Sequence, residues 1–431
     1  MSVTHVVGAG LAGLAAAVRL AEAGRSVVLH EAAPAAGGRC RSFFDGTLGC
    51  TIDNGNHLVL SGNRAVLDYL RRIGASDALV ATEPTFPFVD LASRARWTVS
   101  VGKGPLWFLD PARRPPGTLA GDFGAALRLA ARPGATVAQA IRGRDAAWER
   151  FWVPLTLAVL NAPPERASAR LLFAALVRTF GRGGRYARPM LAPRGLGAAL
   201  IEPAVAYLGR RGAEIGLGRR LLSIRGDAGR AEALIFSDGA ISLQPSDRVI
   251  LALSPSRLAG VLPGLRPPEE RCAILNAHFR LPEGTAETAP PMLGVLGTHA
   301  HWIFRRGEVL SVTVSAADAS PLMAMPRNEA LALIWSEVRA ALDLGVEAPT
   351  ASRLLIEKRA TFDQSPAGVA RRLPMRSGFR NLLLAGDHVR TGLPATIEGA
   401  VRSGDSAARA VLRSGWRRPF RRPTAPRPAR A

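Results

Sequence analysis

The sequence predicts an α/β fold in which a parallel-sheet domain is interleaved with a second, α+β domain. Three observations predict it. A strand, a glycine-rich turn, an alanine-rich helix and a second strand follow one another over residues 4–30. Short strands alternating with turns run from Gly212 to Leu253. A further glycine-rich stretch, "GDHVRTGLPATIEGAVRSG" from Gly386 to Gly404, reads as a loop leading into a late helix. At 431 residues the chain exceeds what one hydrophobic core usually supports, so two domains are expected.

The first unit carries the chemistry. Thr4–Val7 is a short β-branched strand, and Gly8-Ala9-Gly10-Leu11-Ala12-Gly13 is G-x-G-x-x-G at the start of a helix running to about Ala23. Ser26–His30 is the second strand, and Glu31 closes it, eighteen residues after Gly13. In such a Rossmann-type unit Gly8 makes the tight turn, and Gly10 lets a pyrophosphate approach the backbone. Gly13 lets helix and strand pack closely, while Glu31 accepts the ribose hydroxyls of an adenosine. Gly37-Gly38-Arg39 and Arg41 then bring flexible backbone and two planar guanidinium groups toward the same phosphates. The spacing E-x(5)-GGR after a Rossmann unit is a recurrent flavin signature. At the other end, Pro394 suits a first helical turn, and the glycines ahead of it let a ligand approach a helix N-terminus.

Composition excludes several classes. The chain is 48% hydrophobic and 21% charged, a globular balance. Its longest apolar runs, such as Leu171–Val177, are too short to span a bilayer, and the apolar start lacks a basic leader, so no export is expected. Three cysteines (Cys40, Cys50 and Cys272) without metal-type spacing imply a reducing compartment, and cytoplasmic localisation is expected. The net charge of +22 is almost all arginine, scattered along an Ala-, Gly- and Pro-rich chain, so no nucleic-acid partner is expected. The exception is the tail from Gly415, which is Pro-rich and basic and is expected not to fold. Its alternative role is weak attachment to anionic lipid at the inner face of the cell membrane.

With these motifs in place, the chain resembles the flavin amine oxidase and carotenoid desaturase superfamily. That resemblance implies an amine oxidase-like architecture with FAD extended across the first domain. It implies that Gly386 and Asp387 meet the pyrophosphate–ribityl region. Backbone around Leu393, Ala395, Thr396 and Ile397 would face the pyrimidine edge of the flavin, and the backbone of Leu221 would clasp the adenine. The blocks "DNGNHLVL" (Asp53–Leu60), "FWVPLTLAVLNAPPERASARLL" (Phe151–Leu172) and "TGLPATIEGAVRSG" further resemble the squalene-associated, FAD-dependent desaturases, also called hydroxysqualene dehydroxylases. Gly55 and Asn56 of the first block are placed at the cofactor. The family usually has Gln where Asn56 stands and Trp where His388 stands. Cys272–Gly284 contains no lysine, whereas amine oxidases usually hold one near flavin N5.

The resemblance implies a long isoprenoid substrate, hydroxysqualene reduced to squalene in hopanoid biosynthesis, with FAD reduced by an external electron donor. His57, in a loop expected near the flavin, is the candidate acid for the leaving hydroxyl. A structural role for His57 as a loop hydrogen-bonder stands beside it. Asn161 either positions the substrate hydroxyl or caps a helix. The FAD domain is expected over residues 1–74, 193–262 and 354–412, and the substrate domain over 75–192 and 263–353. The basic tail is expected over 413–431. Two other functions stay open: an isoprenoid or carotenoid desaturase running the flavin in the oxidative direction, and a non-enzymatic lipid escort protein. Oligomeric state is not specified by the sequence.

Overall fold

A computed structural model of the chain describes residues 2–413 except 142, 144 and 228; nearly all of the basic tail lies outside the described residues. The first strand, Val3–Val7, is the centre of a parallel sheet of five strands. Ser26–His30 and then Glu214–Gly216 lie on one side, and Arg248–Leu251 and then Leu382–Leu384 on the other. These strands are short and apolar because helices cover the sheet. Pairing of Val3–Val7 with both Ser26–His30 and Arg248–Leu251 brings residues almost 250 positions apart into register, Val6 opposite Ile250.

The helix Leu11–Glu22 is buried along nearly its whole length because alanine and glycine let its neighbours come close. The closest neighbour is the last helix, Ile397–Leu412. Where they cross, Gly404 lies against the Ala12 carbonyl, and any Cβ at Gly404 would collide with that oxygen. Arg19 ties the pair from the side with an ion pair of 2.7 Å to Asp405. Both helices thereby direct their N-termini into one cleft.

The second layer is a mostly antiparallel sheet of seven strands. Its order is Ala351–Thr361, Cys272–Arg280, Val309–Val314, Trp302–Arg306, Met292–Leu296, Thr85–Asp90 and Arg96–Ser100. Side chains alternate between its faces, as strand geometry requires. Leu275, Ala277, Phe279, Ile303 and Val89 pack on one face in a core shared with Ile334 and Val338 of the helix Arg327–Leu342. Ile274, Asn276, Trp302, Phe304, Phe86 and Phe88 point to the other face and line the cleft.

One expectation changes. The domain limit set at residue 354 falls inside the strand Ala351–Thr361, which pairs along Cys272–Arg280; we place that limit after Thr361. In the inserted segment, Ala120–Phe123 and Ala125–Ala131 form two short helices broken at Gly124. The helix through Val159 contains a π turn at Trp148–Trp152, continues as Val153–Leu160, and stops at Asn161, which adopts φ 46°.

The helix crossing is directly testable. Gly404→Ala should destabilise the folded protein by about 1–3 kcal/mol or more, the usual cost of forcing a methyl group into a packed interior. Thermal unfolding of purified holoprotein reads this; an unchanged midpoint would mean the helices separate without cost.

Candidate active site

The cleft between the two layers has about 3380 Å³ of non-protein space, including its mouth. It runs from Glu31, Leu221 and Leu253 at one end, past Gly10, Arg39 and Asp387, to Phe86, Phe151, Leu172 and Phe180 at the other. One end is therefore polar and rich in backbone, and the other apolar.

The three glycines of the fingerprint separate by role. Gly8 has φ 104°, and a Cβ there would meet the Ala252 carbonyl oxygen at 2.5 Å. A Cβ on Gly13 would run into the Gly8 carbonyl. A Cβ on Gly10 meets nothing within 4 Å, because Gly10 faces the open cleft. Two glycines thus serve folding and one serves a ligand, which is the cradle a pyrophosphate needs. Leu11 and Ala12 follow on the cleft wall, and Gly38 and Arg41 face it from the next turn. Glu31 accepts N–H bonds from Ala9 at 2.7 Å and Ala33 at 2.8 Å. Its carboxylate therefore holds the glycine turn in place and keeps lone pairs for a ribose.

Arg39 does not stand free as a phosphate ligand. It donates to Asp387 Oδ1 at 2.7 Å and to the Ala360 carbonyl at 2.6 Å. The Asp387 charge raises the Arg39 pKa further. Burial alone would raise the Asp387 pKa, but Arg39 and the neighbouring His388 hold its carboxyl well below the usual range. The pair crosses the middle of the cleft as a fixed dipole. Burial pushes the Cys40 thiol up to about 12, so it is not a thiolate available for covalent flavin attachment.

The loop after Asp387 is held by a residue that motif reading missed. The buried Arg372 guanidinium donates to the carbonyls of Asp387 and Leu393 at 2.6 Å each, to the Val389 carbonyl, and to Thr391 Oγ1 at 2.9 Å. It lies over the Phe362 ring, 5.1 Å from its centroid. This clamp sets the position of the last helix. Thr396 caps that helix by accepting from the Gly399 N–H at 3.1 Å. The Ala395 N–H is not free for a flavin, contrary to expectation: it donates to Gln364 Oε1 at 2.8 Å. Among the described residues the amides of Thr396 and Ile397 have no protein acceptor, and they remain at the cleft wall. A helix N-terminus there favours an electron-rich group.

On the opposite wall, Asn56 Nδ2 donates to Thr313 Oγ1 at 3.0 Å, and Thr313 donates to Asn276 Oδ1 at 3.1 Å. Asn276 returns a bond of 3.4 Å to the Asn54 carbonyl. A Cβ on Gly55 would stand 3.2 Å from Asn276 Nδ2, which explains glycine at that position. Asn276 is the inward residue of the stretch that lacks lysine, and Lys358 is exposed. Asn161 ends the helix Val153–Leu160 through its left-handed backbone, while its side chain ties other elements together: its Oδ1 accepts from the Ala316 N–H at 2.6 Å and its Nδ2 donates to Thr361 Oγ1 at 3.2 Å. Glu398 accepts from the Ala65 and Val66 amides at 3.1 and 3.0 Å and so caps the helix Arg64–Ile73. His57 points into the cleft without a protein hydrogen bond among the described residues. The ring is exposed to the open cleft, and enclosure by the cleft walls together with the Arg39 charge lowers its pKa. It is therefore a neutral imidazole at pH 7 and can donate a hydrogen bond.

A family model described as flavin containing amine oxidoreductase matches residues 11–412. The chain is 44% identical to the hydroxysqualene dehydroxylase of Sinorhizobium fredii, covering 95% of this chain and 98% of that protein. The hydroxysqualene dehydroxylase of Rhodopseudomonas palustris is 43% identical over the same shares. The chain belongs to the hydroxysqualene dehydroxylase family of flavin-containing amine oxidoreductases. Cyclohexylamine oxidase from Brevibacterium oxydans shares the fold of this hydroxysqualene dehydroxylase relative, with TM-score 0.71, 16% identity, and coverage of 95% of this chain and 98% of that one. FAD is the cofactor of this oxidoreductase, and the Gly10 cradle, Glu31 and the free amides of Thr396 and Ile397 fit it.

Two outcomes follow for this family member. Gly10→Val should fold but lose FAD, since its side chain fills cleft and not core; flavin absorbance after gel filtration, with circular dichroism as control, checks it. Retained flavin would remove Gly10 from the cofactor site. The second concerns pH. Burial lowers the pKa of His278 and His301 from 6.5 to about 4 and of His30 to about 3. Between these values and 6.5 the unfolded chain binds more protons, so stability should fall as pH drops through that window. Urea midpoints measured between about pH 4.5 and 7 should show this, with a shallower fall in His278→Gln.

Proposed function

We propose that the chain removes the hydroxyl of hydroxysqualene reductively, giving squalene, with electrons brought to FAD by an external donor. The observation that carries this reading is the join of the two ends of the cleft. The cofactor cradle opens directly onto an apolar gallery of Phe86, Phe88, Leu155, Val159, Leu172 and Trp302. Such a gallery suits a long hydrocarbon and a small number of orienting polar groups. The full-length relatives named above act, by name, on hydroxysqualene, and they extend the same reading to the substrate.

When bound and reduced, FAD supplies a hydride. The residues of the chain do the rest. The aromatic and leucine walls hold the isoprenoid and exclude water, which favours departure of hydroxide as water only where a proton is provided. His57, without a protein partner, donates a hydrogen bond to the leaving oxygen; that oxygen keeps the C–O electron pair, takes a proton relayed from solvent at the His57 ring, and departs as water. Asn56, Thr313 and Asn276 form a fixed polar strip beside it and define where the single hydroxyl of an otherwise apolar ligand sits. Gln364 is completely buried and joins the two halves of the cleft. It donates to the Leu160 carbonyl at 2.6 Å, at the end of a gallery helix, and accepts from Ala395 beside the last helix. We place the enzyme in the cytoplasm, where its cysteines stay reduced.

Anaerobically reduced enzyme mixed with hydroxysqualene should form one squalene per flavin reoxidised. His57→Ala should slow that single turnover by about 10²-fold or more, whereas His57→Gln, which keeps an N–H donor, should lose less. Reaction of only the oxidised enzyme, with a saturated isoprenoid bond becoming a double bond, would replace this reading by a desaturase.

A further inference from the structure

The apolar end of the cleft lies beneath an unusual piece of surface. Leu106 is 59% exposed, Leu109 56%, Leu119 69% and Leu127 73%, and all four come from one stretch of 22 positions. They are presented by three packed elements, the turn Trp107–Leu109 and the helices Ala120–Phe123 and Ala125–Ala131. Phe108 and Phe123 stack at 5.3 Å, and Arg114 ties the Phe108 and Thr118 carbonyls together, so the stretch is built rather than loose. Helix Ala125–Ala131 buries Leu129 and turns Leu127 outward, the reverse of what a soluble surface requires. Isolated exposed leucines are ordinary; several from one compact stretch mark an interaction surface.

A cationic cluster adjoins it. Arg182, Arg185 and Arg64 surround the Tyr186 ring, with guanidinium carbons 4.4, 5.1 and 5.4 Å from its centroid. None of the three has a carboxylate partner among the described residues. The cluster is joined to the segment that leads into the leucine stretch: the Gly184 N–H donates to the Gly102 carbonyl at 2.6 Å, next to the exposed Lys103. Arg128 and Arg132 add exposed positive charge, whereas Asp110 is paired with Arg113 and Asp122 caps the Leu119 amide. Leucines flanked by unpaired arginines match the chemistry of an anionic bilayer surface.

The same elements reach the cleft. Trp107, beneath the leucines, lies 6.1 Å from Phe151 and 6.4 Å from Phe180, and Phe123 lies 5.0 Å from Phe151. Phe151 and Phe180 line the apolar gallery. From this juxtaposition we propose that the face formed by residues 103–132 and 182–186 docks on an anionic lipid bilayer and sets the apolar end of the cleft against the membrane. Docking itself stands on the surface alone; delivery of a membrane-dissolved isoprenoid through this face rests on the function proposed above. No helix among the described residues is long and apolar enough to cross a membrane, so the contact is interfacial.

The test is flotation of FAD-loaded full-length protein with vesicles of equal parts phosphatidylcholine and phosphatidylglycerol, and with vesicles of phosphatidylcholine alone. The parent should bind the mixed vesicles at low salt and bind the neutral ones far more weakly. Leu119→Glu/Leu127→Glu and Arg182→Glu/Arg185→Glu should each weaken binding to mixed vesicles by about tenfold or more. Both should keep their FAD and their rate on hydroxysqualene dispersed in detergent. Parent-like binding by both variants overturns the proposal, as does loss of binding only when the chain is trimmed after Arg413. A variant that changes only self-association on gel filtration overturns it in favour of a contact between copies. Failure of the detergent assay in the parent, with vesicle binding as expected, strikes the substrate reading and leaves docking intact.

Discussion

The close crossing at Gly404, where no side chain fits against the Ala12 carbonyl, is the constraint on which the site depends. It fixes the crossing of the first and last helices, which are separated by nearly the whole chain. Each helix begins at a turn whose backbone amides face the same cleft, at Gly10 and at Thr396–Ile397. A long cofactor needs an electron-rich group accommodated at both places, and one rigid helix pair holds both. A looser crossing would change the distance between the two anchor points, and the cofactor would lose one of them.

The second organising feature is how little free polarity the cleft contains. Glu31, Asp387 and Glu398 are all buried or half-buried carboxylates, and each is already engaged by backbone amides or arginine. An unpaired charge in such a place would be costly, so these groups serve as fasteners. Arg41, Arg220 and Arg257 face the cofactor end of the cleft; where the cradle meets the gallery, what is offered to a ligand is neutral: the His57 imidazole, the Asn56–Thr313–Asn276 strip and a few amides. The chemistry of the site is thus confined to a narrow band between a backbone-lined cradle and an aromatic gallery. An enzyme acting on one hydroxyl in a long hydrocarbon needs that contrast, because the hydrocarbon supplies almost no other orienting contact.

Arginine composition takes on a different meaning once the fold is known. A count of +22 says little about any partner. Arg372 spends its donors inside the loop before the last helix, Arg39 on Asp387, and Arg306 on Asp53. Others, such as Arg182 and Arg185, stay at the surface beside exposed leucines. The same residue type therefore acts as internal clamp or as surface charge, and only its neighbours distinguish the two.

Local patterns were legible in the sequence because their physics is local. The strand–glycine turn–helix–strand unit at residues 3–30 and the need for glycine at Gly8, Gly10 and Gly13 follow from backbone geometry within a few residues; so does a helix starting close to Pro394, although Pro394 itself lies in the loop and Thr396 caps the helix Ile397–Leu412. The family resemblance carried the two ends of the cofactor site together. Other features were decided by tertiary structure. The Arg372 clamp, the Gln364 bridge that occupies the Ala395 amide, and the Asn56–Thr313–Asn276 strip join residues tens to hundreds of positions apart, with no motif spacing to reveal them. The lowered His57 pKa belongs to the same class, since the enclosing cleft walls and the nearby Arg39 charge exist only after the two layers close. Sequence determined which backbone could cradle a dinucleotide; the packing of one layer on the other decided which donors were left free and where the apolar end meets the surface.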